Sequence, residues 1–287
     1  MSLITGIHQA IEKEYRRLSV VLMRLDERMN PRQTSSNLFG HCCGCLGLTF
    51  LMMMTQANAE DFKQSMDGDI GLGGYYTHSI VRSKSSEISV LPYLDFDYGR
   101  IFARVDTLGI NTLKLGYGHL QFTARISQDG FNTDTASLQG MGKRHTSVPV
   151  GMGTFQITPL GAFIINAFHD IGQSRGDLSE AIYAGELDLP RVVLYPLAGM
   201  EYQSREYVRY YYGVSAQEAA SSQYTAYQPA GSFNKLLGLI ADIKLSDEYH
   251  LNCNVRRKWL GDAIYLSPIV SQRYLDTAYL SLSYRFK

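Results

Sequence analysis

The chain ends in Ala278-Tyr-Leu-Ser-Leu-Ser-Tyr-Arg-Phe286, a segment that alternates between apolar and polar side chains with a period of two. Successive side chains of a β-strand point to opposite faces of the sheet, so this segment predicts a strand with one face in an apolar medium and the other in a polar one. Tyr284 and Phe286 place aromatic rings at its end. Such an ending is typical of the strand that closes an outer-membrane barrel and is read by the barrel assembly machinery.

The same alternation recurs upstream, in residues 120–127, 237–245 and 250–256. Each of these segments has one apolar row and one row with charges, glycine or serine. Such a pattern fits a soluble β-sandwich as well as a membrane barrel, because both folds place one face of each strand in water. Alternation alone therefore does not choose between them.

The lengths of the connections favour the barrel. Tight turns are predicted at residues 98–100, 159–161, 189–191 and 246–248, whereas long loops are predicted at 129–148, 204–231 and 261–273. Tight turns on one side and long loops on the other are typical of outer-membrane barrels. We therefore predict an all-β fold, a transmembrane antiparallel β-barrel of about 12 strands with short periplasmic turns and long extracellular loops. Ten strands is the alternative, because residues 101–117 hold two short candidate strands of uneven quality.

Composition agrees with this class. Of the residues, 45% are hydrophobic and only 19% are charged, and the 27 Lys and Arg are balanced by 27 Asp and Glu. A nucleic-acid partner is not expected, because proteins that neutralise phosphates carry a basic excess. After residue 60 there is no run of 18 apolar residues, so the sequence does not predict a helical membrane protein.

The amino-terminal part predicts export. Residues 46–54 form an apolar run that is too short to span a bilayer, and Ala57-Asn58-Ala59 follows with the small residues that a signal peptidase accepts. We predict a leader over residues 1–59, cleavage after Ala59, and a barrel domain over residues 60–287 in the cell outer membrane, in contact with outer-membrane lipid. Residues 1–28 are either an amphipathic appendage or the product of a start codon assigned too early, with Met29 as the true start.

Two groups of side chains are candidates for function. The first comprises charges predicted to face the barrel lumen, which either line an aqueous pore or pair across the lumen and plug it: Arg125, Asp242, Lys244, Arg256 and Lys258. The second is a tyrosine cluster, which is either a docking surface for a partner or glycan or an aromatic girdle at the membrane interface: Tyr207, Tyr210, Tyr211 and Tyr212.

Patterns for catalysis and metal binding are weak. His169 and Asp170 with Ser174 or Ser179 resemble a hydrolase triad, but neighbours in one strand point to opposite faces. The histidines lack the spacing of a zinc site, and Cys253 lies in an otherwise apolar row, where we expect a small lipid-facing residue. We therefore predict no catalytic residue, no cofactor and no metal site. We expect Asp262 and Ser267-Pro268 to shape a loop over the barrel mouth.

Three longer segments resemble the MipA/OmpV family of outer-membrane proteins. They are Tyr211-Tyr-Gly-Val-Ser-Ala-Gln-Glu-Ala-Ala220, Tyr227-Gln-Pro-Ala-Gly231 and Asp262-Ala-Ile-Tyr-Leu-Ser-Pro-Ile-Val270. The resemblance implies an outer-membrane barrel that is not an enzyme and acts as a scaffold for a murein-degrading lytic transglycosylase and a penicillin-binding protein. Because function varies within a fold, a small or gated porin-like channel is the alternative. The resemblance supplies no catalytic residues.

Overall fold

The computed structural model describes residues 65–286, apart from 83–85, 128, 132 and 134. The predicted leader, its cleavage at Ala59 and the alternative start at Met29 lie outside the described residues, as does Lys287. Within the described part of the chain, no helix combines the length and apolar character needed to cross a membrane.

The described residues form thirteen strand segments. They are β1 (Met66–Thr77), β2 (Glu87–Tyr98), β3 (Ile101–Arg104), β4 (Thr107–Leu115), β5 (Gly118–Arg125), β6 (Val150–Thr158), β7 (Gly161–His169), β8 (Asp177–Ala184), β9 (Leu187–Leu189), β10 (Val192–Gln203), β11 (Ser232–Lys244), β12 (Tyr249–Trp259) and β13 (Tyr274–Phe286).

These segments close into one antiparallel barrel of twelve strands. β8 and β9 both pair with β10 and together make a single strand that is interrupted at residues 185–186. β10 then pairs with β11, and β13 pairs with β1 from Gly68↔Phe286 to Thr77↔Thr277, which closes the cylinder. The twelve-strand prediction is confirmed, and the ten-strand alternative is wrong because both short candidates in 101–117 are strands of the barrel.

The period-two pattern decides which face of each strand meets the membrane. On β13, Leu280 and Leu282 are 53% and 52% exposed on the outside of the barrel, whereas Ser281 and Ser283 are buried in the lumen. An outward apolar row and an inward polar row are what a bilayer requires of a spanning strand. Both ends of the barrel chain lie on the side of the tight turns, which is the periplasmic side in this class.

One part of the wall is much shorter than the rest. β3 has only four residues and pairs with the Asp95–Tyr98 end of β2. Its other neighbour, β4, is reached through a turn at Val105 and Asp106. This short hairpin therefore covers only the periplasmic half of β2.

The long loops pack into a cap over the extracellular mouth. The cap contains α1 (Arg205–Tyr212), α2 (Ala216–Ser221), α3 (Asp262–Tyr265) and a short 3-10 helix (Ala136–Leu138). The Ser204 side chain accepts a hydrogen bond from the Tyr207 backbone at the start of α1, and Ser215 forms a capping box with Glu218 at the start of α2. Beneath these helices lies an apolar core whose most buried members include Leu138, Val208, Ile264 and Ile269.

Candidate functional site

A cluster of hydrogen-bonded polar and charged side chains lies at the periplasmic end of the lumen, and we call it the periplasmic plug: Asp69, Asp242, His250 and Arg285. Arg285 donates from Nε to Asp69 Oδ1 at 2.7 Å and from Nη2 to Asp242 Oδ2 at 3.0 Å. His250 Nδ1 lies 2.7 Å from Asp242 Oδ1. All four side chains are largely buried, so Asp69, Asp242 and Arg285 depend on their partners rather than on water.

A second set of charges lies closer to the extracellular mouth, on β5, β8, β10 and β12, and we call it the mid-lumen belt: Arg125, Glu180, Glu201 and Lys258. Arg125 donates two hydrogen bonds to Glu180, at 2.6 and 2.9 Å, and Asn166 donates a third to the same carboxylate. Lys258 Nζ lies 3.0 Å from Glu201 Oε1. The two pairs join strands that are not neighbours in the wall, β5 with β8 and β10 with β12, and so brace the barrel across part of the lumen.

Arg256 differs from these residues. It faces the same lumen but is exposed, and no hydrogen bond or ion pair joins its guanidinium to another described residue. Its cross-strand partner is Gly238, where an added Cβ would come within 2.9 Å of Arg256 Cγ. The missing side chain at Gly238 therefore leaves room for the arginine inside the barrel.

The five predicted lumen charges thus have different surroundings. Asp242 belongs to the plug, Arg125 and Lys258 belong to the belt, and Arg256 lies in the lumen with no ion-pair partner. Lys244 pairs instead with Asp247 at the periplasmic rim, at 2.7 Å, and both side chains are mainly in solvent. The predicted set of lumen charges did not include five members of the plug and the belt: Asp69, Glu180, Glu201, His250 and Arg285. Asp69 and Glu180 each occupy an inward position of an alternating strand, which is the signal that identifies them.

The lumen also has an apolar wall. Along β11, Ile240 and Leu236 point inward between Asp242 and the outer end, and Ile182 and Ile164 do the same on β8 and β7. The rings of Phe155 and Phe168 complete this wall. Together with Arg256 they border a cavity of about 400 Å³, which is within the range of cavities that hold small organic ligands.

The tyrosine cluster is buried rather than displayed. Tyr207, Tyr211 and Tyr212 are at most 5% exposed, and only Tyr210 is partly exposed. Tyr207 and Tyr212 donate to the two oxygens of Asp129, at 2.9 and 3.1 Å. Burial and the Asp129 charge raise the pKa of both phenols well above their usual range. Neither the girdle nor the docking prediction fits these three residues, because α1 turns its aromatic face into the cap.

A latch joins two of the loops in the cap. Glu218 in α2 accepts hydrogen bonds from the backbone of Ser215 and Gly142 and from Arg144 Nη2, the last at 2.7 Å. Burial alone would raise the pKa of Glu218, but these hydrogen bonds outweigh burial and lower it to about 2. The charged carboxylate therefore holds the 204–231 loop against the loop that contains Gly142.

The hydrolase-like residues are placed apart. His169 Nδ1 lies 2.8 Å from Asp177, whereas Asp170 accepts hydrogen bonds from the Ser174 hydroxyl and from three backbone amides. Burial raises the pKa of Asp170, but those hydrogen bonds lower it by more. Ser179 points outward from β8. The geometry thus gives Asp170 the role of ordering a turn. Among the described residues, no cluster of three or more potential metal ligands was found.

The sequence profile of the family described as "MltA-interacting protein MipA" matches residues 70–286. The chain belongs to this family. Its match covers every strand from within β1 to the end of β13. Membership and the closed barrel together make this chain an outer-membrane β-barrel protein of the MipA family.

Three relatives are similar to this MipA-family barrel. "Outer membrane protein Omp26La" of Vibrio anguillarum is 27% identical over 225 residues, which are 75% of this chain and 85% of that protein. "Outer membrane protein OmpV" of Vibrio cholerae is 30% identical over 182 residues, 63% of this chain and 67% of that protein. "MltA-interacting protein" of Escherichia coli K12 is 29% identical over 91 residues, 32% and 37% respectively.

Proposed function

We propose that this barrel is a noncatalytic scaffold that holds a lytic transglycosylase, and with it a penicillin-binding protein, at the inner surface of the outer membrane. The observation that supports the proposal is the periplasmic plug, in which buried and mutually hydrogen-bonded side chains occupy the periplasmic end of the lumen; in this proposal they close it. A barrel closed in this way acts through its outer surfaces. The name of the E. coli relative, "MltA-interacting protein", supports the choice of partner.

A partner in the periplasm must dock on the rim of tight turns. Three apolar side chains stand out there, and we call them the rim patch: Leu115, Tyr117 and Leu160. Tyr117 is 59% exposed and Leu160 is 80% exposed, although both lie in turns that polar residues usually occupy. Gln156 fixes the first turn, because its amide donates to the Leu115 carbonyl and accepts from the Tyr117 backbone, both at 2.8 Å. Rigid exposed aromatic and aliphatic groups are suitable anchors for a protein interface.

The proposal is tested by affinity purification from detergent-extracted envelopes after mild crosslinking, with mass spectrometry of the retained proteins. Native protein is expected to retain a lytic transglycosylase or a penicillin-binding protein that an unrelated barrel of similar abundance does not retain. The double variant Tyr117→Asp/Leu160→Asp should lose it. Leu266→Asp is the matched control, because Leu266 is a 62% exposed leucine on the extracellular side. If the rim variant retains the enzyme as well as native protein does, the rim patch is not the docking site. If native protein retains no murein enzyme, the scaffold proposal is wrong.

A porin-like channel is the alternative, and it makes the opposite electrical prediction. With the plug in place we expect no steady conductance in planar bilayers. Opening of the plug by Arg285→Ala, in protein that still folds, should produce conductance only in the variant. Steady conductance of the native barrel would favour the channel over the scaffold.

A further inference from the structure

The outer half of the barrel wall is incomplete beside β2. Strand β3 pairs only with Asp95–Tyr98, and above it one further hydrogen bond, from Val105 N to Leu94 O at 2.7 Å, ends the contact. Beyond Leu94, β2 continues to Glu87 with β1 on one side, and no strand in the described part of the chain pairs with its other edge. The wall resumes at β5 and at Ile126, whose backbone donates to the carbonyl of Asp106.

The opening is as wide as the missing pair of strands. Below the opening, β3 and β4 lie between β2 and β5. The distance from β2 to β5 is therefore three strand spacings, or about 14 Å. Pro92 lies on the free edge of β2. Backbone groups in a strand alternate in direction, and the Leu94 carbonyl points to the β3 side, so the Pro92 nitrogen points to the opening. Proline has no N–H to donate and is found on strand edges for this reason.

The lip of the opening is strained. Val105, at the tip of the β3–β4 hairpin, has φ of +47°, a conformation that β-branched residues rarely adopt. Residues held in such conformations are concentrated at ligand clamps and other functional sites. An open sheet edge facing hydrocarbon is also costly, because lipid chains satisfy no backbone hydrogen bond. Both features make the opening a candidate functional site.

The opening leads into the lumen. One continuous cavity is bordered by Leu91, Val105 and Ile126 at the lip and by Ile164, Ile240 and Arg256 inside. Besides apolar side chains, its lining holds the belt pairs Arg125–Glu180 and Lys258–Glu201 and the carboxylates of Asp95, Asp106 and Asp129. Arg256 lies in the same lining, across from Gly238 and between the inward side chains of Leu236 and Ile240. The lining cations Arg104, Arg125 and Lys258 are paired with carboxylates, whereas no ion pair joins Arg256 to a described residue. An exposed guanidinium beside an apolar wall suits a ligand with one anionic group and one apolar chain.

We propose that this cavity binds a single-chain anionic amphipath that enters from the outer leaflet through the opening between β2 and β5. The alkyl chain lies against the isoleucine and phenylalanine wall, and the anionic group accepts hydrogen bonds from Arg256. Because the plug closes the lumen below, the ligand is held in the barrel and does not cross it. This site is separate from the rim patch and does not depend on a scaffold role.

The test uses the full exported chain in phosphatidylcholine nanodiscs, with radiolabelled dodecanoate as the probe and equilibrium dialysis against empty nanodiscs. We expect one saturable site per barrel, and at least tenfold weaker competition by dodecanol, which lacks the charge. Arg256→Gln should weaken binding about tenfold. Its control is Arg257→Gln on the same strand, because Arg257 faces outward and pairs with Asp276.

Two further variants test the chamber and the route. Ile240→Trp fills the cavity and should abolish binding, whereas Leu239→Trp, on the outward face, should not change it. Val105→Trp should slow uptake in stopped-flow measurements and leave the affinity unchanged. Each variant is first checked for folding by its heat-dependent migration in gel electrophoresis. Nonsaturable uptake, or native affinity in both Arg256→Gln and Ile240→Trp, would overturn the proposal; an unchanged rate in Val105→Trp would overturn the lateral route.

Discussion

The periplasmic plug and the mid-lumen belt both combine carboxylates with basic side chains, yet they differ in how completely the charges around them are paired. In the plug, Arg285 bonds two buried carboxylates and His250 bonds one of them. At the level of the belt, the pairs Arg125–Glu180 and Lys258–Glu201 are accompanied by Arg256, which has no ion-pair partner among the described residues. A buried ion is tolerated only when it is paired or hydrogen-bonded. The plug is therefore a structural element, whereas the belt borders a chamber that keeps one cation available.

The largest effect is expected in the plug. Arg285→Leu leaves Asp69 and Asp242 buried without their cation and should lower the free energy of unfolding by about 3–5 kcal/mol. Urea-induced unfolding in lipid vesicles measures this loss. Arg257→Leu is the control on the outer surface and should leave the unfolding midpoint unchanged. If Arg285→Leu is as stable as native protein, the plug does not stabilise the barrel.

A smaller effect is expected in the belt. Arg125→Leu leaves Glu180 with its hydrogen bond from Asn166, so we expect a loss of about 2–3 kcal/mol in the same unfolding measurement. The double variant Arg125→Leu/Glu180→Leu should recover most of it, because apolar residues of similar size often replace a buried ion pair at little cost. If the double variant is less stable than Arg125→Leu, the ion pair stabilises the barrel by more than the cost of removing its two charges from water.

The cap should respond more weakly still. Tyr207→Phe removes the hydroxyl that bonds Asp129 and Ser127, and we expect a loss of about 1–2 kcal/mol in the local stability of the cap. Faster proteolysis of the 204–231 loop would report it. Tyr265→Phe is the control, because the Tyr265 hydroxyl makes no hydrogen bond to a described residue. Equal rates of proteolysis in both variants would show that the hydrogen bond from Tyr207 to Asp129 does not stabilise the cap.

The latch between the loops should depend on pH. The pKa of Glu218 is about 2 in the folded protein and lies below its ordinary value of 4.5, so its contribution is complete above about pH 4.5 and is lost as pH falls toward 2. Hydrogen exchange of residues 215–221 should therefore accelerate as pH falls through this window, after correction for intrinsic rates. Glu218→Gln should remove that dependence. A native profile that is flat over the same window would mean that the latch carries no stability.

Arg256→Gln should have the smallest effect on stability. This variant compares an arginine without an ion-pair partner among the described residues with Arg125, which is paired. The guanidinium bonds no described residue, so the free energy of unfolding should stay within about 0.5 kcal/mol of the native value. The same urea measurement checks this. A loss as large as that of Arg125→Leu would assign Arg256 to the structural set and weaken the ligand proposal.

Much of the fold followed from local patterns. The tight turns at 98–100 and 159–161 and the long loop at 204–231 have the predicted positions, because strand period and turn composition are properties of neighbouring residues. Prediction failed for Tyr207, Tyr211 and Tyr212. Aromatic residues next to arginine in a long loop fit an exposed surface as well as a buried one, and only the packing of α1 beneath the other loops decided between them.

The sequence by itself determined the class of barrel, its strand count to within two and the face that each strand shows to the membrane, because side-chain alternation is local and the bilayer selects one face. Tertiary structure alone decided which charges pair and where the wall is open. Arg285 and Asp69 are 216 positions apart, and they meet only because β13 and β1 close the cylinder in one register. Likewise, the sequence indicates two short candidate strands in residues 101–117, but the gap above β3 exists only once its neighbours are fixed around it.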